Sequence, residues 1–216
     1  MKKILLLINF FTVIGFSQEI SKEENRSKEN PIIYADIHLG AGAEIGGAGT
    51  FFIGGGLHYQ IEKQLFTIRH IENSVVKTAW FFFIPIIVQQ TKNNETALLY
   101  GRRFIKENTS FSFSGGISHN KYTNYNLQFQ GNSLLLEVPA AITPVSTESY
   151  FGFPFEAEVR WFNSNKERFR VFYGIIPVGK KTGFARSFGF KLIGNISKRS
   201  YIGVGLSFGL GFHKEY

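Results

Sequence analysis

Charged side chains recur at every second position of the segment Gly152–Phe162. Glu156, Glu158 and Arg160 share one parity. The other parity is apolar and carries Phe153, Phe155, Ala157, Val159 and Trp161. Successive side chains of a β-strand point to opposite faces of the sheet, so the three charges would lie on one face. Two carboxylates beside a guanidinium can form ion pairs, and they can also transfer protons.

The same parity rule groups six further titratable residues with this charged face: Asp36, His38, His58, Arg69, Arg103 and Lys191. Removal of a charge from water costs several kcal/mol unless the charge is paired and hydrogen-bonded. The sequence therefore predicts a buried network of ion pairs. The functional alternatives are a gated proton or ion path and an acid–base pair that faces a lipid substrate.

The elements that would position these residues are strands. Eight segments alternate clearly, namely 32–42, 50–60, 65–71, 97–105, 110–117, 152–162, 183–193 and 199–212, and the segments 76–89 and 168–175 alternate less regularly. In the last strand one parity carries Ile202, Val204, Leu206, Phe208, Leu210 and Phe212. The opposite parity is mostly glycine, which suits a cramped interior better than a surface in water. An apolar exterior around an interior of small or polar side chains predicts an all-β fold, a closed antiparallel transmembrane β-barrel.

The strand count follows from the rule that such barrels have an even number of strands. Eight strands place the segments 72–95 and 118–150 in long loops on the outer side, whereas ten would put 118–150 on the periplasmic side. Long loops are typical of the outer side, so eight strands are favoured. The segment 176–182 is interpreted as a loop. A barrel of eight strands has room inside only for its own side chains, which predicts a plugged lumen.

The N-terminus predicts export from the cytoplasm. Lys2 and Lys3 precede the apolar stretch Ile4–Ile14. Gly15 and Ser17 are small residues at the −3 and −1 positions of a predicted cleavage site before Gln18. We expect a signal peptide over 1–17, a flexible periplasmic leader over 18–30 and the barrel over 31–216. The chain has no Cys, which excludes disulfides and thiolate metal sites. The net charge of +8 includes two units from Lys2 and Lys3, and no basic stripe typical of a nucleic-acid partner is present.

The signal peptide, the single-domain length and the alternating strands together resemble the small outer-membrane β-barrel proteins of Gram-negative bacteria. The resemblance covers roughly residues 31–216 as architecture, similar to that of outer-membrane proteins A and X, rather than as a sequence motif. It implies an outer-membrane location, contact with membrane lipid and lipopolysaccharide, and a monomer. It also implies recognition by the barrel-assembly machinery through an aromatic residue near the end of the chain, for which Phe212 and Tyr216 are candidates.

These observations favour a structural or interaction protein, not an enzyme, with functional outer loops and no cofactor. A lipid A-modifying enzyme is an alternative, but Ser118 and His119 are its only neighbouring Ser/His pair and should point to opposite faces. A soluble lipocalin-like barrel is a second alternative, and it would require the faces to be reversed. His38 and His58, which could face each other across the first hairpin, are an incomplete metal site.

Overall fold

Eight strands close into an antiparallel β-barrel in the computed structural model of this protein. The structure describes residues 31–45, 49–81, 84–130, 138–163, 165–171 and 176–215, so the predicted signal peptide and leader lie outside the described residues. The barrel strands are β1 (Ile32–Glu44), β2 (Gly49–Ile61), β3 (Gln64–Phe81), β4 (Ile84–Lys106), β5 (Thr109–Gln130), β6 (Val138–Phe162), β9 (Phe184–Ser197) and β10 (Tyr201–Phe212). Within this part of the chain, no helix is long and apolar enough to cross a membrane.

The barrel closes where its first strand pairs with its last. β1 and β10 are antiparallel, with Ile33 opposite Phe212 and Glu44 opposite Tyr201. The ring order is β1-β10-β9-β6-β5-β4-β3-β2, so consecutive barrel strands are neighbours everywhere. Closure leaves no edge strand, so the backbone N–H and C=O groups of each strand can pair with a neighbour. A sheet in lipid requires this because an unpaired backbone group there costs several kcal/mol. The predicted eight-stranded barrel is confirmed.

Apolar side chains cover the outside of the barrel, whereas the interior is polar. Phe153 is 68% exposed and Phe208 is 45% exposed, while Glu156 and Glu158 are 3% and 2% exposed. Phe155 and Leu206 are half-buried on the outward parity. This arrangement is the reverse of a soluble barrel with an apolar cavity, and it does not suit a lipocalin-like ligand site.

Two long predicted loops are instead extensions of the strands. The segment 72–95 continues β3 and β4 as a hairpin that pairs as far as Phe81 and Ile84. The segment 118–150 continues β5 and β6 as far as Gln130 and Val138. Register shifts in both hairpins reverse the side-chain parity along the strand, which hides the alternation from a sequence reading. We call this side of the barrel the long-hairpin end.

The opposite side, the short-turn end, has tight turns at Glu62–Lys63 and Glu107–Asn108. Here β7 (Glu167–Val171) and β8 (Ile176–Thr182) form a separate two-stranded sheet between β6 and β9. The segment 176–182 was therefore wrongly interpreted as a loop, because Pro177 and Gly179 are typical of turns. The irregular segment 168–175 lies partly in β7, outside the barrel.

Glycines on the inward parity make room for one large ring. Phe52 is fully buried inside the barrel, where it packs with Ile71, Ile193 and Tyr201. A Cβ atom at Gly203 would lie 2.7 Å from the Phe52 ring, and one at Gly40 would lie 2.5 Å from it. The glycine-rich inner face of β10 thus accommodates the ring of Phe52, which belongs to β2 on the other side of β1.

Candidate functional site

The barrel interior holds a balanced set of buried charges. Among the described residues, four carboxylates and four cationic side chains are buried: Asp36, Glu95, Glu156, Glu158, Arg69, Arg103, Arg160 and Lys191. All nine residues that parity grouped on the inward face lie inside, since His38 and His58 are buried as well. Equal numbers of opposite charges allow mutual neutralisation in an environment that excludes water.

Asp36 is the centre of the middle cluster. Its Oδ2 atom accepts hydrogen bonds from Arg160 Nη2, from Lys191 Nζ at 2.9 Å and from His58 Nε2 at 3.0 Å. Its Oδ1 atom contacts His38 Nδ1 at 3.1 Å. One carboxylate therefore joins side chains from β1, β2, β6 and β9, and it lies between two positive charges, which Glu156 and Glu158 also help to neutralise.

Arg160 and Glu158 extend this cluster toward β9 and β10. Arg160 Nη2 lies 2.6 Å from Glu158 Oε1, which also accepts the Ser207 hydroxyl at 2.5 Å. Arg160 Nη1 donates to Ser187 Oγ at 2.7 Å. Two residues apart on β6, the guanidinium and the carboxylate share the inward face, as the alternation of a strand requires.

A second cluster lies nearer the long-hairpin end. Arg69 bonds to Glu95 at 2.6 Å and to Glu156 at 3.0 Å. Glu95 Oε2 accepts hydrogen bonds from Asn195 Nδ2 at 2.5 Å and from the Tyr201 hydroxyl at 2.9 Å. Glu95 and its partner Arg69 thus connect five strands, β3, β4, β6, β9 and β10, which are not all neighbours in the ring.

Glu95, Asn195 and Tyr201 were not predicted from the sequence as members of the lumen network, for different reasons. Glu95 lies within the segment taken as an outer loop, although its parity continues that of Ala97 and Arg103 on β4. Extension of the β4 alternation by one more step would have found it. Asn195 lies in the segment 194–198 that the sequence assigns to a turn, and Tyr201, although on the inward parity of the last strand, is neutral and was not grouped with the charges.

Arg103 belongs to a third layer, at the short-turn end, where its contacts are with neutral groups. It donates to Gln60 Oε1 at 3.0 Å, to Ser110 Oγ at 3.0 Å and to the His213 carbonyl oxygen at 2.9 Å. Its guanidinium also lies 4.9 Å from the centre of the Tyr34 ring, a distance typical of a cation–π contact. Arg103 thus links β4 to the residue that follows β10.

His38 and His58 do not face each other, because Gly54 is the residue opposite His38 and Tyr34 is opposite His58. Asp36 lies between the two imidazoles and contacts both. Within the described ranges, no group of three or more His, Cys, Asp or Glu side chains is arranged to hold a metal ion. The imidazoles therefore contribute hydrogen bonds to the central cluster.

Ser118 and His119 lie on opposite faces of β5. The Ser118 hydroxyl is buried, and it accepts hydrogen bonds from Asn195 at 2.9 Å and from Asn120 at 3.0 Å. His119 is exposed outside the barrel and packs against Phe151. A serine nucleophile needs its base within about 3.2 Å, and these two side chains cannot meet across the wall.

An ion-pair site outside the lumen fastens the β5–β6 hairpin at the long-hairpin end. Glu148 accepts hydrogen bonds from Lys198 and, at 3.2 Å, from Arg199 in the turn between β9 and β10. The Arg199 guanidinium also lies 3.7 Å from the centre of the Tyr122 ring. The hydrogen bond from Lys198, and after it that from Arg199, holds the pKa of Glu148 below its ordinary value.

The Glu148 contact is expected to weaken in acid. The charged carboxylate accepts both hydrogen bonds, so the contact is complete above the ordinary pKa and is lost as the pH falls through the lowered one. Because the chain has no Cys, spin labels at Ser146→Cys and Ile196→Cys can report the hairpin position specifically. We expect their distance to widen in acid, as the pH falls below the ordinary pKa of a glutamate. In the Glu148→Gln background the wide distance should already be present at neutral pH; a distance there as short as with Glu148 would contradict the prediction.

The apolar exterior, the closed ring of strands and the polar, ion-paired interior define a transmembrane β-barrel of the outer-membrane type. Two solved structures resemble the fold. The N-terminal β-barrel domain of Pseudomonas aeruginosa OprF is 13% identical, with a TM-score of 0.44 over 85% of this chain and 100% of that domain. Neisserial surface protein A is 12% identical, with a TM-score of 0.43 over 87% of this chain and 100% of that protein. No family model matches the chain, and no curated protein matches it.

Proposed function

We propose that this protein is a non-conducting structural or interaction protein of the outer membrane and has no enzymatic role. The observation that supports this proposal is that buried contacts cross the lumen from one wall to the opposite wall. β4 and β10 are four places apart in a ring of eight strands, and Glu95 on β4 bonds to Tyr201 on β10 at 2.9 Å. A diffusion path along the axis would have to break such contacts.

Crossing contacts occur at three levels of the barrel. Arg69 on β3 reaches Glu156 on β6 near the long-hairpin end, and Lys191 lies 3.4 Å from the same Glu156. In the middle, Asp36 on β1 meets Arg160 on β6. At the short-turn end, Arg103 on β4 holds the carbonyl of His213. Three successive layers support a plugged lumen, in keeping with the narrow interior of an eight-stranded barrel.

The long-hairpin end is proposed to face the cell exterior. Outer-membrane barrels place short turns in the periplasm and longer connections outside. The β5–β6 extension exposes polar residues of the kind that meet water and partners, including Thr143, Ser146, Thr147 and Ser149. The rigid lumen would hold these hairpins in a fixed position, which suits adhesion, ligand capture or support of the envelope. Since the ring is complete within one chain, we also infer a monomer, folded by the barrel-assembly machinery.

The absence of conduction is testable in planar lipid bilayers. We expect no current steps from the unaltered protein, because the crossing side chains leave no continuous path for ions. Arg69→Ala with Glu95→Ala removes one layer, and its combination with Asp36→Ala and Arg103→Ala, which disrupts all three layers, is expected to produce small resolved steps or a leak. The outward neighbours provide the matched control, since Ile68→Ala with Thr96→Ala alters the same strands on the lipid side. Stable current steps from the unaltered protein would refute the plugged lumen.

A further inference from the structure

The β7–β8 sheet is a strongly basic hairpin at the short-turn end of the barrel. Residues 163–183, which connect β6 to β9, contain Lys166, Arg168, Arg170, Lys180 and Lys181 against the single acidic residue Glu167. β7 and β8 form a two-stranded sheet that is separate from the barrel. By sequence, this connection carries five cationic residues and one acidic residue.

Two of these cations are placed directly opposite each other. Arg168 on β7 pairs with Lys181 on β8 in the register of the hairpin. Both side chains are exposed, and so is that of the neighbouring Lys180. Like charges in directly opposite positions destabilise a strand pair. An anion between the two side chains would convert this repulsion into two favourable contacts.

The hairpin emerges beside aromatic rings at the ends of the barrel strands. Trp161, at the end of β6, lies 6.4 Å from Phe188 of β9 between ring centres. Phe184, the first residue of β9, lies 5.7 Å from Phe212 at the end of β10. Aromatic girdles of this kind mark the boundary between hydrocarbon and headgroups. The strands that carry the basic hairpin thus end at the depth of the lipid phosphates.

We propose that the β7–β8 hairpin binds the phosphate groups of anionic phospholipids at the membrane surface, and that these lipids stabilise its strand pairing through Arg168 and Lys181. A basic side chain close to an anionic surface strengthens binding by roughly fivefold. This inference rests on the proposed insertion of the barrel in a membrane.

The test compares the full-length protein in nanodiscs of phosphatidylcholine with the protein in nanodiscs that also contain phosphatidylglycerol. Hydrogen–deuterium exchange of the peptide that covers 163–183 measures the hairpin. We expect exchange there to slow by at least roughly fivefold in the anionic nanodiscs, and the effect to shrink at about 0.5 M salt because screening weakens surface charge interactions. Equal exchange of this peptide in both lipids would overturn the proposal. Slow hydrogen–deuterium exchange of β9 and β10 in both nanodiscs is the separate measure of barrel insertion. If the barrel did not insert, these strands would lose their protection, which distinguishes that failure from a failure of lipid binding by the hairpin.

A charge-reversal variant tests the cross-strand pair itself. Arg168→Glu places opposite charges across the hairpin, so we expect slow exchange in phosphatidylcholine and little further slowing with phosphatidylglycerol. The control, Lys63→Gln with Lys106→Gln, removes two exposed cations from the other turns of the same end and should retain the full lipid effect. A lipid effect in Arg168→Glu equal to that of the unaltered protein would overturn the role of this pair.

Discussion

Replacement of Asp36 by asparagine is expected to lower the free energy of unfolding by about 3–5 kcal/mol, the usual cost when one partner of a buried ion pair is removed. The amide keeps the size of the side chain but removes the charge that faces Arg160 and Lys191. Both cations would then be buried with less negative charge around them. Denaturant unfolding in detergent micelles, followed by the shift of the folded band on unheated gels, measures the loss.

Two further variants make the Asp36 experiment specific. Glu107→Gln neutralises an exposed carboxylate in a turn and should leave the unfolding midpoint almost unchanged. The combination of Asp36→Asn with Lys191→Met removes one uncompensated cation, so it should be more stable than Asp36→Asn alone. An Asp36→Asn protein as stable as the Glu107→Gln control would show that the central cluster contributes little.

Alanine at Gly116 is expected to cost about 1–3 kcal/mol or to prevent folding, whereas alanine at the adjacent Gly115 should be tolerated. A Cβ atom at Gly116 would lie 1.9 Å from the carbonyl oxygen of Leu98 on β4. Since that oxygen belongs to the backbone of the neighbouring strand, the strands must shift apart to accept a methyl group. At Gly115 the nearest atom to a Cβ would be the Pro154 carbonyl oxygen, at 3.7 Å, which is an ordinary contact.

The pair Gly116→Ala and Gly115→Ala is a matched comparison because both changes add one methyl group to the same strand. Refolding yield into micelles and the unfolding midpoint are the measurements. Equal behaviour of the two variants would mean that the close approach of β4 and β5 is not a constraint on folding.

Both predictions follow from an interior that is polar and crowded. A soluble domain is stabilised by apolar side chains inside, whereas this barrel exposes them, as at Phe153 and Phe208. The interior is instead held by charge pairs and by glycines that admit Phe52. Such an interior tolerates neither an unbalanced charge nor an added methyl group, which makes it a rigid support for the hairpins at the long-hairpin end.

The sequence by itself determined which face the side chains of the clearly alternating strands take, and it favoured the observed eight strands over ten. Alternation is a local property of a strand, so the inward parity of Asp36, Arg69 and Glu158 can be read from their neighbours. The apolar parity of the last strand identifies lipid as the surroundings in the same way. These inferences need no knowledge of which strands meet.

Only the tertiary structure decided which inward residues touch. Arg69 and Glu156 are 87 positions apart in the chain, and they meet because ring closure and strand register place β3 and β6 across the lumen from each other. Glu95 entered the network because β4 continues, in unbroken register, past the segment that alternation marks clearly. Contacts across a barrel depend on closure and stagger, which are properties of the whole ring and leave no local pattern in the chain.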